Sequence, residues 1–340
     1  MHFAFTDDQL LFRDTVAELF AAQCGPDAVR AAWADGDGRD AALWSALAEM
    51  GVIGLTVPEE HGGMGMTLLD LVPILTEAGR VAYPGALVET TAVVAPLLAT
   101  AAPAEIAARW LPGIADGSVI ATIALEGQPL VTDVHVAGLV VAQRGDRLYA
   151  VPGDRVRATP QQSVDGARRV STIEWDEADG ELIASGEAAW DAINAAFDRG
   201  AVATAAVLIG LAEHMIAMSV EYVVERKQFG VPIGSFQAVK HHLADAELKV
   251  SFARPVVWAG AYAIVEGSPD AVRGASMAKC FASDAAELVA RKALQTHGAI
   301  GYTTEHDLHF WMKRSWALSS AWGDAAWHRR RVAHLLLDGN

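Results

Sequence analysis

Residues 224–246 read VERKQFGVPIGSFQAVKHHLADA, and the way this stretch is read decides how the second half of the chain is built. Upstream of it, Leu208, Leu211, Met215, Met218 and Tyr222 recur at helical spacing. Downstream, Val239, Leu243, Ala246 and Val250 do the same. Gly230, Pro232 and Gly234 interrupt the run between the two stripes, and Ser235 is expected to cap the restarting helix. Two apolar stripes joined by so short a connection predict an antiparallel pair in a helix bundle. Arg226 and Lys227 fall at the end of the first helix, where a cation interacts favourably with the helix dipole. That placement by itself calls for no ligand.

Away from this stretch the texture changes twice, which divides the chain into residues 1–117, 118–186 and 187–340. The first segment is helical. Thr6 and Gln9 have capping-box spacing, and Phe12, Val16 and Leu19 then share a face. GVIGLTVPEEHGGMGMTLLDL, residues 51–71, is read as a helix end, a Gly/Pro-rich loop and a new helix. In the second segment VHVAGLVVAQ, DRLYAVPG, DRVRATP and RVSTIEWD have the two-residue period of short strands. The third is helical again. The fold class expected is mainly α with a β insert: an N-terminal helical domain, a small middle β domain and a C-terminal four-helix bundle.

The chain has 340 residues, 52% of them apolar and 20% charged, enough to bury a large core. A formal net charge of −16 argues against nonspecific nucleic-acid or anionic-membrane binding. Cys24 and Cys280 make neither a disulfide framework nor a zinc cluster. The N-terminus lacks the basic start of a secretory signal, and Glu89, Pro96, Pro103 and Glu105 interrupt the apolar stretch 86–108. These features predict a cytoplasmic protein with no nucleic-acid or membrane partner.

Three segments carry a resemblance to the acyl-CoA dehydrogenases. They are G-x-x-G-L-x-V-P-E-E-H-G-G-M-G from Gly51 with E-A-G-R from Glu77, E-R-K-Q-F-G-x-P-I-G-S-F-Q from Glu225, and Q-T-H-G-A-I-G-Y-T-x-E-H-D from Gln295. They occur in the family's order, and the chain resembles the family over nearly its whole length. The resemblance implies that Arg226 reaches across a subunit interface to the pyrophosphate of the neighbour's FAD and that Phe229 lines the same site. A planar guanidinium suits phosphate oxygens. Gln295 and the run from Gly298 to Gly301 would face the adenine half, small residues letting the backbone approach.

The family reaction is α,β-desaturation of an acyl-CoA thioester, in which a glutamate removes the α-proton and the β-hydrogen leaves as hydride to the flavin. The resemblance puts that base at one of two positions, and here they hold Trp322, in AWGDAAWH, and Gly200. Neither accepts a proton. The nearby carboxylates are Asp198, two residues from the second position, and Asp324, two beyond the first. Asp324 is read structurally as the cap of the last helix, and Asp198 as a solvated residue at a helix start. The flavin-holding T-E-P-x-x-G-S-D segment is matched only by ATIALEGQPLVTD, with Leu125 in place of threonine. No metal set is expected. The adjacent His241 and His242 face different ways, with His241 and Asp245 expected to pair, and His297, His306 and His309 have no acid cluster. Trp311, Trp316, Trp322 and Trp327 are read as core or interface aromatics.

The chain therefore resembles the degenerate subunit of heteromeric actinobacterial, steroid side-chain type acyl-CoA dehydrogenases. Its implied partners are a catalytic acyl-CoA dehydrogenase subunit, an acyl-CoA substrate and an electron-transfer flavoprotein. The alternatives are a self-sufficient homomeric dehydrogenase with Asp198 or Asp324 as base, and a non-enzymatic acyl-CoA-binding or scaffold protein.

Overall fold

The computed structural model describes residues 4–34 and 37–337. The helices are α1 (Asp7–Gln23), α2 (Pro26–Ala34), α3 (Ala41–Glu49), α4 (Leu68–Arg80), α5 (Ala95–Ala101), α6 (Ala104–Ala115), α7 (Glu187–Glu225), α8 (Gln237–Val265), α9 (Ala271–His297), α10 (Leu308–Ser320) and α11 (Ala325–Leu337). Strands β1 (Ala121–Ala124), β2 (Val131–Thr132), β3 (Leu139–Arg144), β4 (Arg147–Pro152), β5 (Arg157–Gln161), β6 (Val170–Glu174) and β7 (Glu181–Ser185) lie between α6 and α7. The pair β8 (Lys227–Gln228) and β9 (Val231–Pro232) lies between α7 and α8. Mainly helix with a β insert is the architecture expected. Compactness groups the residues into two units, one of 1–26, 72–83 and 204–340, the other of 27–71 and 84–203.

In the second unit, β1 pairs in parallel with β3, and β3–β4–β7 continues the sheet antiparallel. A smaller antiparallel sheet runs β2–β6–β5. Most of β3 and β4 is buried at consecutive positions, so both faces are covered and their sequence alternates less than a half-exposed strand would. Two sequence expectations are corrected here. Residues 134–136 form a turn rather than the start of β3, and β1 and β7 are strands that periodicity missed. β1 is too short and too thoroughly buried to alternate. In the loop after α3, a Cβ on Gly63 would lie 2.1 Å from the Val57 carbonyl oxygen, so only glycine fits that crossing.

In the first unit, α4 and α7 cross at glycines. A Cβ on Gly79 would lie 2.1 Å from the Val207 oxygen, and one on Gly210 would lie 1.8 Å from the Thr76 oxygen. The glycine of E-A-G-R is thus the seat for α7. Beside it, Glu213 is buried between Arg80 (Nη2 to Oε2, 2.5 Å) and Arg254 (Nε to Oε1, 2.7 Å), and Arg80 also meets Glu77 at 3.3 Å. α7 and α8 run antiparallel, as the stripes predicted, and α8 packs on α9 through Gly260 and Gly274. α1 opens with the expected capping box of Thr6 and Gln9.

Ser235 is not the cap of α8. Its hydroxyl donates to the Pro232 carbonyl (2.7 Å) inside a short 3-10 turn, Phe236 takes the cap position, and no side chain caps the helix. Nor does Asp245 turn to His241; it accepts from Lys292 (3.2 Å), which also meets His242 Nδ1 at 2.9 Å. Helices α7 and α8 are long and apolar enough to cross a membrane by length and composition. The apolar run of α7 is buried within the protein, whereas α8 leaves Leu248, Phe252 and Tyr262 exposed.

Candidate functional site

The opening stretch folds locally and tightly. Arg226 N–H closes the last turn of α7 onto Tyr222 (2.9 Å), and Ile233 N–H returns to the Arg226 carbonyl (2.8 Å). Lys227–Gln228 then pairs with Val231–Pro232 around a two-residue loop. The type I′ form of such a loop has positive φ at both central positions, and Phe229 (φ +54) and Gly230 (φ +83) supply it. A phenylalanine there is unusual, and its ring is 92% exposed. Arg226 and Lys227 are exposed, and among the described residues no carboxylate forms an ion pair with either.

The end of α9 comes to the same place. Tyr222, one turn before Arg226, stacks on His297 at 4.6 Å, and His306 meets His297 edge-on at 4.6 Å. His297 Nδ1 donates to the Ala293 carbonyl (2.8 Å), and burial lowers the pKa of the ring. Gln295 and Gly298 flank this stack and are exposed. Gly298 has φ +65, and a Cβ added there would meet nothing within 4 Å, so its backbone is open to a visitor. Gly301 differs: it is buried, and a Cβ would press on His297 and Leu294 at 3.1 Å, so its smallness serves the chain's own packing. The structure thus gathers Arg226, Phe229, Gln295 and Gly298 at one end of the bundle. They offer a cation, an exposed ring, an amide and bare backbone, a donor set that suits an anionic dinucleotide such as FAD approaching from outside the chain.

The middle segment does not offer the same. Leu125 is buried and apolar where a hydroxyl is expected, and the Thr122 hydroxyl is spent on the Thr132 carbonyl (2.8 Å). The residues present there do not match a flavin-ring cradle.

Of the carboxylates weighed as base, Asp324 is committed. Its Oδ1 accepts Trp327 N–H at 2.6 Å and its carbonyl accepts His328 N–H at 3.0 Å, the capping role expected. Asp198 is neither solvated nor at a helix start. It is 6% exposed and lies well inside α7, which begins at Glu187. Beside it, Arg199 Nε donates to the Ala92 carbonyl (2.9 Å) in the π-helix Val88–Val94, and burial lowers its pKa to about 10. Trp322 is 4% exposed, with φ +55.

Sequence reasoning missed two residues around Trp322. Lys279 is fully buried and His328 is buried beside it. A signal existed: Lys279 falls on the α9 face of Ala275, Ser276, Ala282 and Ser283, all buried, where a lone lysine needs an internal partner. His214, stacked on Trp311 at 4.2 Å, is also held neutral, burial and Arg80 lowering its pKa to about 4. Among the described residues no cluster of ligating side chains could hold a metal. Both cysteines are buried and neither is in a disulfide.

Family models match both ends of the chain: the acyl-CoA dehydrogenase N-terminal domain over residues 6–118 and its C-terminal domain over 189–337. The chain belongs to the acyl-CoA dehydrogenase family, whose members bind FAD. It is 36% identical to the acyl-CoA dehydrogenase IpdE2 of Mycobacterium tuberculosis, over 91% of each chain. Among solved structures it is similar to a Tcur3481–Tcur3483 steroid ACAD, with a TM-score of 0.89 and 26% identity over 98% of each chain. It shares its fold with a chain of the ChsE4–ChsE5 complex of Mycobacterium tuberculosis, with a TM-score of 0.89 and 23% identity over the full length of both.

Proposed function

We propose that this chain is the non-catalytic half of a heteromeric acyl-CoA dehydrogenase and that it completes the FAD site of a catalytic partner. The observation that carries the reading is a contrast. Arg226, Phe229, Gln295 and Gly298 stand exposed at one end of the bundle, while both base positions hold residues that cannot take a proton, Trp322 and Gly200. Arg226 would grip the pyrophosphate, Phe229 would cover the same stretch, and Gln295 with the Gly298 backbone would meet the adenine half. FAD bound there supplies the hydride acceptor for desaturation, and an electron-transfer flavoprotein would take the electrons on. The partner supplies the base. Exposed Leu248 and Phe252 on α8 offer apolar surface for packing between subunits. The likeness to a steroid ACAD favours an acyl-CoA with a steroid-derived acyl group over a simple fatty acyl chain.

A second reading keeps catalysis in this chain, with Asp198 as base, and the burial of that carboxylate is the observation in its favour. Flavin content separates the two. The chain is expressed alone and with candidate partner chains, and FAD and mass are measured. The subunit reading expects little FAD on the lone chain and fewer flavins than subunits in the assembly. One tightly held FAD per chain in a homo-oligomer sinks it.

A further inference from the structure

We propose that the cavity at the β5–β6 connection binds the phosphate monoester of a small organic molecule, with Arg168 as its cation. Every residue that forms it lies in the second unit, and none belongs to the Arg226 end of the bundle. The cavity has a volume of about 490 Å³ and is walled by the segment 160–171 and by His135. That is the size of a small-molecule site and far more than a bare ion fills. Among the described residues, two guanidiniums, Arg168 and Arg169, line it against one carboxylate, Asp165. A positive charge is left over, in a chain whose net charge is −16.

The two arginines have different duties. Arg169 Nη2 donates to the carbonyls of Ala32 and Trp33 (both 3.4 Å) in the last turn of α2, where helix carbonyls lack internal partners and a cation is favoured. Arg168 is half-buried, and among the described residues no carboxylate pairs with it. A partly desolvated guanidinium calls for a counter-ion, and its fork fits phosphate oxygens. Further donors stand beside it. In the turn 165–168 the Asp165 carbonyl accepts Arg168 N–H (3.2 Å) and the Asp165 carboxylate accepts Ala167 N–H (3.1 Å). That leaves the Gly166 N–H with no acceptor among the described residues. The Ser163 hydroxyl accepts Asp165 N–H (3.2 Å) and keeps its own hydrogen to donate. Arg168, Gly166 and Ser163 thus offer donors from three places, matching the three terminal oxygens of a phosphate monoester, where a carboxylate has two. The loop is set before a ligand arrives. A Cβ on Gly166 would lie 2.6 Å from the Trp33 ring, and one on Gly38 would lie 2.9 Å from the Ala167 carbonyl oxygen. His135 Nε2 donates to the Asp37 carbonyl (2.9 Å), tying the same loop from the other wall. A site fixed in advance spends less of its binding energy on ordering.

The test titrates the purified full chain, in whatever assembly it forms, with inorganic phosphate, glycerol phosphate and adenosine monophosphate in a calorimeter. Phosphate should bind, and at least one ester should bind more tightly because it fills more of the cavity. A preference for glycerol phosphate marks a polyol-type ligand, and a preference for the nucleotide marks a base-bearing one. Arg168→Gln should weaken binding roughly 10- to 100-fold, the loss of one charge-assisted contact, at an unchanged melting temperature. Arg169→Gln should instead lower the melting temperature, because the end of α2 loses its cation. If Arg168→Gln does not accumulate, Gln162→Glu takes its place: it adds a negative charge at an exposed position of the lining and should weaken binding by about tenfold. Native affinity in whichever variant is measured, or no uptake of any probe at millimolar concentration, overturns the site. Esters that bind no better than inorganic phosphate overturn the organic ligand, and acetate that binds as tightly as phosphate overturns the phosphate class.

Discussion

Phe229–Gly230 and Trp322–Gly323 share one backbone device in opposite surroundings. Each is an aromatic residue in the left-handed region followed by a left-handed glycine, at φ +54 and +83 in one case and +55 and +85 in the other. Phe229 is 92% exposed, and a Cβ on Gly230 would meet nothing within 4 Å. Trp322 is 4% exposed, and Gly323 is hemmed in by Trp327 and His328. Strain at the first pair comes from the type I′ turn of the two-residue hairpin, which sets positive φ at both positions whatever residue occupies them. At the second it is imposed by Lys279 and His328 from outside the turn. Equal local strain therefore serves two ends: one ring is offered outward and the other is held in.

The largest expected effect breaks this symmetry. Trp322→Gly relieves the left-handed strain but empties a buried site, so it should destabilise the fold by about 3 kcal/mol in denaturant titration. A loss under about 1 kcal/mol would mean the indole is not packed.

Next comes pH. Burial, with Lys279 and Arg331 adding to it and the hydrogen bond to the Trp322 carbonyl and Asp324 opposing it, lowers the pKa of His328 to about 4. Between that value and the ordinary histidine value near 6.5, the unfolded chain binds a proton that the folded chain refuses. Stability should therefore fall as pH drops through this window, by up to about 3 kcal/mol from this residue. His328→Gln should flatten that slope, and an identical slope in the variant would show that His328 is not the group responsible. His214, with its pKa also near 4, should leave a residual slope of the same sign.

A smaller effect is expected at the exposed end. Arg226→Ala should weaken FAD retention in the assembly by about 2–3 kcal/mol, roughly 30- to 150-fold, with little change in melting temperature. Arg226→Lys should recover only part of it, because one ammonium cannot reproduce a fork. Unaltered FAD retention in the alanine variant would leave Arg226 with helix-end electrostatics alone.

The smallest effect has the opposite sign. Phe229→Gly removes an exposed ring and the left-handed penalty together, so it should stabilise the chain by about 1 kcal/mol while loosening FAD. A destabilised variant would show that the edge-on contact of Phe229 with Phe236, at 6.2 Å between ring centroids, outweighs the left-handed penalty.

Local chemistry was legible without coordinates. The capping box of Thr6 and Gln9, the cap at Asp324, the stripes of α7 and α8 and the break between them depend on residues a few positions apart, and sequence by itself determined them. It also marked Arg226, Phe229, Gln295 and Gly298, because their motifs are contiguous. Tertiary structure alone decided what depends on distant neighbours. It buried Asp198 inside a helix that starts at Glu187, joined Lys279 to carbonyls forty residues or more away, and made Gly79 and Gly210 seats for each other's helices. It covered both faces of β3 and β4, and with the second face buried the alternation that reveals a strand is lost. Capping and turn preferences act over a few bonds and so are written along the chain. Burial, desolvation and close helix crossings depend on which surfaces meet, and only the folded chain brings those surfaces together.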